Sequence, residues 1–248
     1  MRFAREFAER HAFIAVFFLL VVLSAICYHK TLSNGFVQDD IPSIVENPAA
    51  STPIDIAAVF TKNAWGDRPG FAHIPNYRPL TTLTYALTEA AAGQEPFAFH
   101  LVNLFLHALV AFLLFIFALE LFNLRIPALI GAALFAVHPL ASEAVCGAVN
   151  REELLCAVFS LAGLLVFLKA GSVGMTFSRF AAVSGCFALA LLSKENAVTF
   201  PLAVLMTDLF LWINRGKDSI RGKDSAPTDY CRRRILSPNL KRIASYLS

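Results

Sequence analysis

The sequence predicts an all-α membrane protein, a multi-pass bundle of about six transmembrane helices with one large loop on a single side. Three observations carry that expectation. The chain is 57% hydrophobic with 23 Phe in 248 residues, and its charged fraction of 16% lies well below that of soluble domains. Its apolar residues gather into runs of the length that a helix needs to cross a hydrocarbon core, roughly 17–25 residues. Lys and Arg are spread unevenly between those runs.

The first run spans residues 12–28 and follows Arg2, Arg5 and Arg10, so residues 1–11 read as a cytoplasmic N-terminus. A cleaved signal peptide is the other reading of a basic start and apolar core, but Ile26-Cys27-Tyr28-His29 is a poor cleavage site. Five more runs follow at 100–122, 127–147, 153–169, 179–193 and 196–214. With the N-terminus inside, only Lys30, Lys62, Arg68, Arg78, Arg151 and Lys194 of the 21 basic residues fall outside, as the positive-inside rule requires. The net charge of +3 then reflects topology and gives no sign of nucleic-acid binding.

Between the first two runs lies an outer loop, residues 29–99, rich in turn formers such as Asn34-Gly35, Asn47-Pro48 and Pro69-Gly70. Apolar stretches at Ile54 to Phe60 and Leu80 to Ala92 predict short helices inside it, lying on the membrane surface. The inner connections are short by contrast. Residues 12–214 thus form the membrane domain. Residues 215–248 read as a solvated basic tail without fixed structure, with Arg215-Gly216-Lys217-Asp218-Ser219 nearly repeated at Arg221 to Ser225. The five cysteines have no CxxC spacing, so neither a disulfide framework nor a zinc site is expected, and no divalent metal is indicated.

Charged and polar groups at membrane depth are costly and direct attention to function. The outward set is Asp39, Asp40, Tyr77, Arg78, His100, Asn103, His138, Glu143, Arg151, Glu152, Glu153, Lys194 and Glu195, all at helix ends or in outer loops. Neighbouring carboxylates repel, which raises one pKa and suits a general base; a solvated helix-capping turn is the plainer reading of Asp39-Asp40-Ile41-Pro42. Arg78, Arg151 and Lys194 suit an anionic group such as phosphate, and equally suit interfacial anchoring or pairing, for instance Arg151 with Glu152 or Lys194 with Glu195. His100, Asn103 and His107 share one helix face, and interhelical hydrogen bonding fits them better than a metal pair does.

Six ordered blocks resemble the transmembrane and tetratricopeptide-repeat-containing proteins, a family of membrane O-mannosyltransferases with a GT-C fold. They are Asn34 to Asp40 with Asn47, Tyr77-Arg78-Pro79-Leu80, Phe99 to Asn103 with His107, His138-Pro139 with Glu143-Ala144-Val145, Arg151 to Leu155, and Ser193-Lys194-Glu195. The resemblance covers about residues 28–213 and implies a partial GT-C architecture. It also implies a sugar, possibly mannose, carried on a polyprenyl or dolichyl phosphate. The acceptor hydroxyl, on a protein or glycan, is presented on the extracytoplasmic side. Either acid of the first outer loop fits the base; Asp39 is favoured because it lines up with the Asp of an Asp-Glu pair in related mannosyltransferases. The carboxylate would deprotonate the acceptor as it attacks and inverts the anomeric carbon. Arg78, Arg151 and Lys194 would then stabilise the departing phosphate, with Tyr77, His100, Asn103, His138, Glu143, Glu152 and Glu195 lining the site.

The chain departs from the family pattern at Ala141, where a second His is common, and at Asn150, where a Gly often precedes the Arg. The family also continues into further helices and repeats, so the chain reads as its N-terminal membrane part. Its membrane would be a bacterial inner membrane, or the endoplasmic reticulum in a eukaryote. A non-catalytic scaffold or assembly protein derived from the same fold is the competing function class. A small transporter is disfavoured because no internal repeat is visible.

Overall fold

A computed structural model of the chain describes residues 2–65 and 76–221. The stretch 66–75 of the outer loop and the tail from 222 onward lie outside the described residues. The helices are α1 (Arg2–Tyr28), α2 (Ile56–Thr61), α3 (Pro79–Ala92), α4 (Pro96–Phe122), α5 (Arg125–Ala136), α6 (Ser142–Cys146), α7 (Arg151–Val173), α8 (Phe177–Ser193) and α9 (Phe200–Arg221). No strand occurs among the described residues.

Four stretches are long and apolar enough to cross a membrane: His11–Ser33, Pro96–Phe122, Arg151–Gly171 and Glu195–Asn214. A fifth exists if the bent pair α5 and α6 counts as one span, and α8 is a shorter apolar helix. The chain is a multi-pass integral membrane protein, and all six apolar runs of the sequence are helical. The expected single helix over 127–147 is instead broken, with a 50° bend. Pro139 supplies the reason. It lacks a backbone N–H and pushes the residue before it out of helical geometry, and His138 accordingly sits in extended backbone, φ −71° and ψ 129°. The last helix also runs on to Arg221, seven residues past the end that hydropathy predicts.

Helix α4 is the hub, packing against α1, α5 and α7. In the apolar interior Ala128, Ala132 and Ala136 repeat every four residues along α5 and meet Leu20, Ala111, Phe115 and Leu119. Small residues at that spacing let helix backbones approach in a medium where apolar burial gives no drive of its own. Gly163 does the same on α7: a Cβ there would stand 2.8 Å from the Phe200 ring and 3.1 Å from the Cys186 Cβ. Gly163→Leu is therefore expected to destabilise the chain by about 1–3 kcal/mol through overpacking, read as a lower unfolding temperature in detergent.

One end of this bundle carries almost all of the elaboration. The C-terminus of α1 and the N-termini of α4 and α7 meet there, capped by the loop helices α2 and α3. Tyr28 donates to the His138 carbonyl at 2.6 Å, and Thr81 donates to the Ser193 carbonyl at 3.0 Å, so α3 lies across the end of α8.

Candidate active site at the loop-bearing end

Asp39 and Asp40 are chemically alike and structurally opposite. Gln38, just before them, has φ +47°, in the left-handed region that costs a non-glycine residue about 1–2 kcal/mol. Past that turn Asp40 is 1% exposed, whereas Asp39 remains exposed. The Asp40 carboxylate caps no helix with its side chain. It accepts from the Val37 N–H at 3.0 Å and from the Val149 N–H at 2.7 Å, fastening the outer loop to the connection before α7. Asp39 is left as the solvent-facing acid of the pair.

The same connection is gripped from two other sides. Tyr85 donates its hydroxyl to the Val149 carbonyl at 2.5 Å, and Asn103 donates to the carbonyls of Gly147 and Ala148 at 2.9 and 3.3 Å. Burial drives the Tyr85 phenol far above its ordinary pKa, so it stays a protonated donor throughout the working range. Tyr85→Phe is expected to cost about 1–2 kcal/mol, seen as a lower unfolding temperature, by leaving a carbonyl of this connection without its donor.

Arg151 follows at the start of α7 and is fully buried. Its Nε donates to Asn103 Oδ1 at 2.9 Å, Nη1 to the Thr84 carbonyl and Thr88 Oγ1 at 2.9 Å each, and Nη2 to the Phe99 carbonyl at 3.2 Å. The guanidinium also lies over the Tyr85 and Phe99 rings, 5.0 and 5.3 Å from their centroids. It makes no pair with Glu152, because successive residues of a helix point about 100° apart. Thr84, Tyr85 and Thr88, its partners on α3, carry no charge to mark them in the sequence.

Arg78, Glu152, Glu153, Lys194 and Glu195 form one network built from three distant parts of the chain. Arg78 holds Glu195 bidentately, Nε to Oε2 at 3.1 Å and Nη2 to Oε1 at 2.7 Å, and its Nη1 meets Glu152 Oε2. Lys194 bonds Glu152 Oε1 at 2.9 Å and Glu153 Oε1 at 2.6 Å. Glu152 is thus the bridge between both cations. Burial alone would lower the pKa of Lys194 and of Arg78. The hydrogen bonds and charges of Glu153 and Glu152 around Lys194, and of Glu195 and Glu152 around Arg78, outweigh it and raise both. Folded values above the ordinary ones mean that these cations add stability below the unfolded pKa, 10.5 for Lys194, and lose it only as pH climbs through the folded value.

The other expected site residues surround these two clusters or stand apart. His100, Asn103 and His107 are fully buried in the bundle; His100 Nδ1 lies 3.4 Å from Thr31 Oγ1, and His107 Nε2 lies 3.1 Å from the Ala136 carbonyl. Tyr77 is exposed and donates to the Phe60 carbonyl at 3.0 Å. His138 is exposed, its Nδ1 accepting from Leu140 N–H at 3.2 Å, and exposed Glu143 offers its carbonyl to Asn150 Nδ2 at 2.7 Å. Tyr85 joins Asp40 to Arg151, because its hydroxyl bonds the Val149 carbonyl, whose own N–H goes to Asp40, and its ring lies against the Arg151 guanidinium. Among the described residues, no group of three or more His, Cys, Asp or Glu is placed to hold a metal ion.

The family model for dolichyl-phosphate-mannose-protein mannosyltransferase matches residues 73–224. The chain belongs to this family. The matched stretch contains Arg78, Arg151, Glu152, Lys194 and Glu195. Protein O-mannosyl-transferase TMTC1 of Homo sapiens is 36% identical over 220 residues, which cover 82% of this chain and 24% of the relative. Protein O-mannosyl-transferase TMTC3 is 35% identical in Mus musculus, over 73% of this chain and 20% of the relative, and 31% identical in Homo sapiens, over 84% and 24%. The chain therefore spans about a quarter of the length of the curated relatives it matches. No solved structure matches it.

Proposed function

We propose that this family member forms the catalytic face of a glycosyltransferase. It moves a sugar, mannose by the names of its relatives, from a dolichyl or polyprenyl phosphate to an acceptor hydroxyl on the extracytoplasmic side. The observation that carries the reading is the Arg78, Lys194 and Glu152 cluster at the start of α7, taken with the left-handed turn before Asp39, whose neighbour Asp40 fastens that turn to Val149 just ahead of the same helix. Strain held at such a turn is common where a reacting group must be aimed.

In this reading Asp39 accepts the proton of the acceptor hydroxyl, whose oxygen attacks the anomeric carbon as the bond to the lipid phosphate breaks. Arg78 and Lys194 balance the charge that gathers on the leaving phosphate. Asp40 positions the loop through Val149, and Arg151 acts as a positioning residue beneath it, holding α3, α4 and α7 together. The acceptor is a protein or glycan hydroxyl, and the membrane lipids surround the apolar faces.

The test is transfer of labelled mannose from dolichyl phosphate mannose to a hydroxyl-bearing peptide by the purified chain in lipid. Arg78→Gln is expected to raise the KM for donor at least about tenfold, the scale of one lost charge-assisted pair. Transfer at the wild-type rate and donor KM in Arg78→Gln, together with full activity in Asp39→Asn, would overturn the reading. Absence of transfer by the wild-type chain would favour the scaffold class instead.

A further inference from the structure

Arg78 is the better phosphate ligand of the two cations, because its planar fork matches two oxygens at once. Both prongs of one edge of that fork are already taken by a carboxylate of the chain itself. Glu195 occupies Nε and Nη2 with its two oxygens at 3.1 and 2.7 Å, the same bidentate arrangement that a phosphate would adopt. We infer that Glu195 is a place-holder on Arg78: the phosphate of the donor displaces its carboxylate on binding, while Glu152 stays and anchors both cations. This deepens the donor-site reading above and rests on it.

Three observations separate Glu195 from the other acids of the network. The first is exposure: the Glu195 side chain is 66% exposed and the Glu152 side chain 7%. Water competes for the exposed Glu195 carboxylate, which weakens its pairing with the largely buried Arg78, so Glu195 can swing into solvent at smaller cost than a buried partner could. Release of Glu152 would instead strand the buried ends of Arg78 and Lys194 together, since each of its oxygens serves one of them.

The second is charge. Arg78, Lys194, Glu152, Glu153 and Glu195 sum to one negative charge. Exchange of the Glu195 carboxylate for a singly charged phosphodiester leaves that sum unchanged, so no buried charge is created. The third is geometry at Lys194. Glu153 meets that ammonium with a single oxygen at 2.6 Å, and an ammonium has a further donor to offer without losing it. Glu195 is the one acid of the network that blocks a two-oxygen site.

The device has a consequence for selectivity. A lipid-linked sugar without an ionised phosphate cannot replace the carboxylate, so the site stays closed to it. The place-holder also keeps the Arg78 fork oriented before the donor arrives, which lowers the ordering cost of binding.

The experiment measures binding of dolichyl phosphate mannose to the whole chain in nanodiscs, for the wild type, Glu195→Gln, Glu195→Ala and Arg78→Gln, with folding checked by circular dichroism. Loss of the competing carboxylate is expected to tighten binding about threefold to tenfold in whichever Glu195 variants fold. Arg78→Gln is expected to weaken it. Unchanged or weaker binding in the Glu195 variants, with Arg78→Gln still impaired, would overturn the place-holder and leave the donor site standing. Binding indifferent to Arg78 as well would remove both.

Discussion

Asp39→Asn is expected to lower kcat for sugar transfer by about 10²–10⁴-fold and to leave donor affinity close to that of the wild type. That range is what a positioned general base contributes. The asparagine keeps the shape of the side chain and removes only its capacity to take a proton. Among the described residues no hydrogen bond to the Asp39 carboxylate exists for the substitution to break, and Asp39 is exposed, so the fold tolerates the change. Asp40→Asn behaves differently. It places an amide NH₂ against the N–H of Val37 or Val149, both of which need an acceptor, and is expected to cost about 1–3 kcal/mol of stability as well as turnover. Steady-state kinetics beside thermal unfolding separates the two roles: a loss confined to kcat for Asp39, and a joint loss for Asp40.

Arg151→Ala is expected to be the most destabilising single change in the chain, by about 3–5 kcal/mol. It removes the guanidinium donors of Asn103 Oδ1 and Thr88 Oγ1 and one donor each from the carbonyls of Thr84 and Phe99, the former keeping the Thr88 hydroxyl, and it opens a cavity beside the Tyr85 and Phe99 rings. Arg151→Lys is expected to recover little. An ammonium cannot reach from Asn103 to Phe99 and Thr88 at once, because those contacts use the full width of the guanidinium fork. The unfolding temperature in detergent and resistance to proteolysis report the effect. Donor KM in whatever folded fraction survives is expected to stay near wild type, since this side chain has no exposure to a ligand.

The apolar architecture was legible in the sequence because it rests on local quantities, run length and hydropathy. The break between α5 and α6 was legible only in part. Pro139 signals it, yet the residues on both sides remain apolar and read as one continuous run. The site was less legible, for a physical reason. Arg78 and Glu195 are 117 residues apart and Arg78 and Glu152 are 74 apart, so nothing in local spacing links them. Pairing of neighbours, Arg151 with Glu152 or Lys194 with Glu195, was the natural local expectation; helix geometry turns Arg151 away from Glu152, and Lys194, in extended backbone at φ −156° and ψ 141°, bonds Glu152 and Glu153 instead. Asp39 and Asp40 could not be told apart either. What separates them is a backbone N–H 109 residues away and the left-handed turn at Gln38.

The face of α3 carries a pattern of hydroxyls that hydropathy does not bring out. Thr81, Tyr85 and Thr88 recur at helical spacing, and all three are buried. That stripe lies within the apolar run Leu80 to Ala92, from which a helix on the membrane surface is expected. In the fold it is the underside of a lid-like helix whose hydroxyls satisfy Arg151 and the end of α8.

The central claim is that this end of the bundle performs an inverting sugar transfer from a lipid phosphate. It is tested most directly by incubating the purified chain in lipid with dolichyl phosphate mannose and a hydroxyl-bearing peptide, then reading the anomeric configuration of the product by NMR. A single direct displacement with Asp39 as base gives a product of the configuration opposite to that of the donor. A product that retains the donor's configuration, or the absence of any transfer by the chain while it still folds, would contradict it.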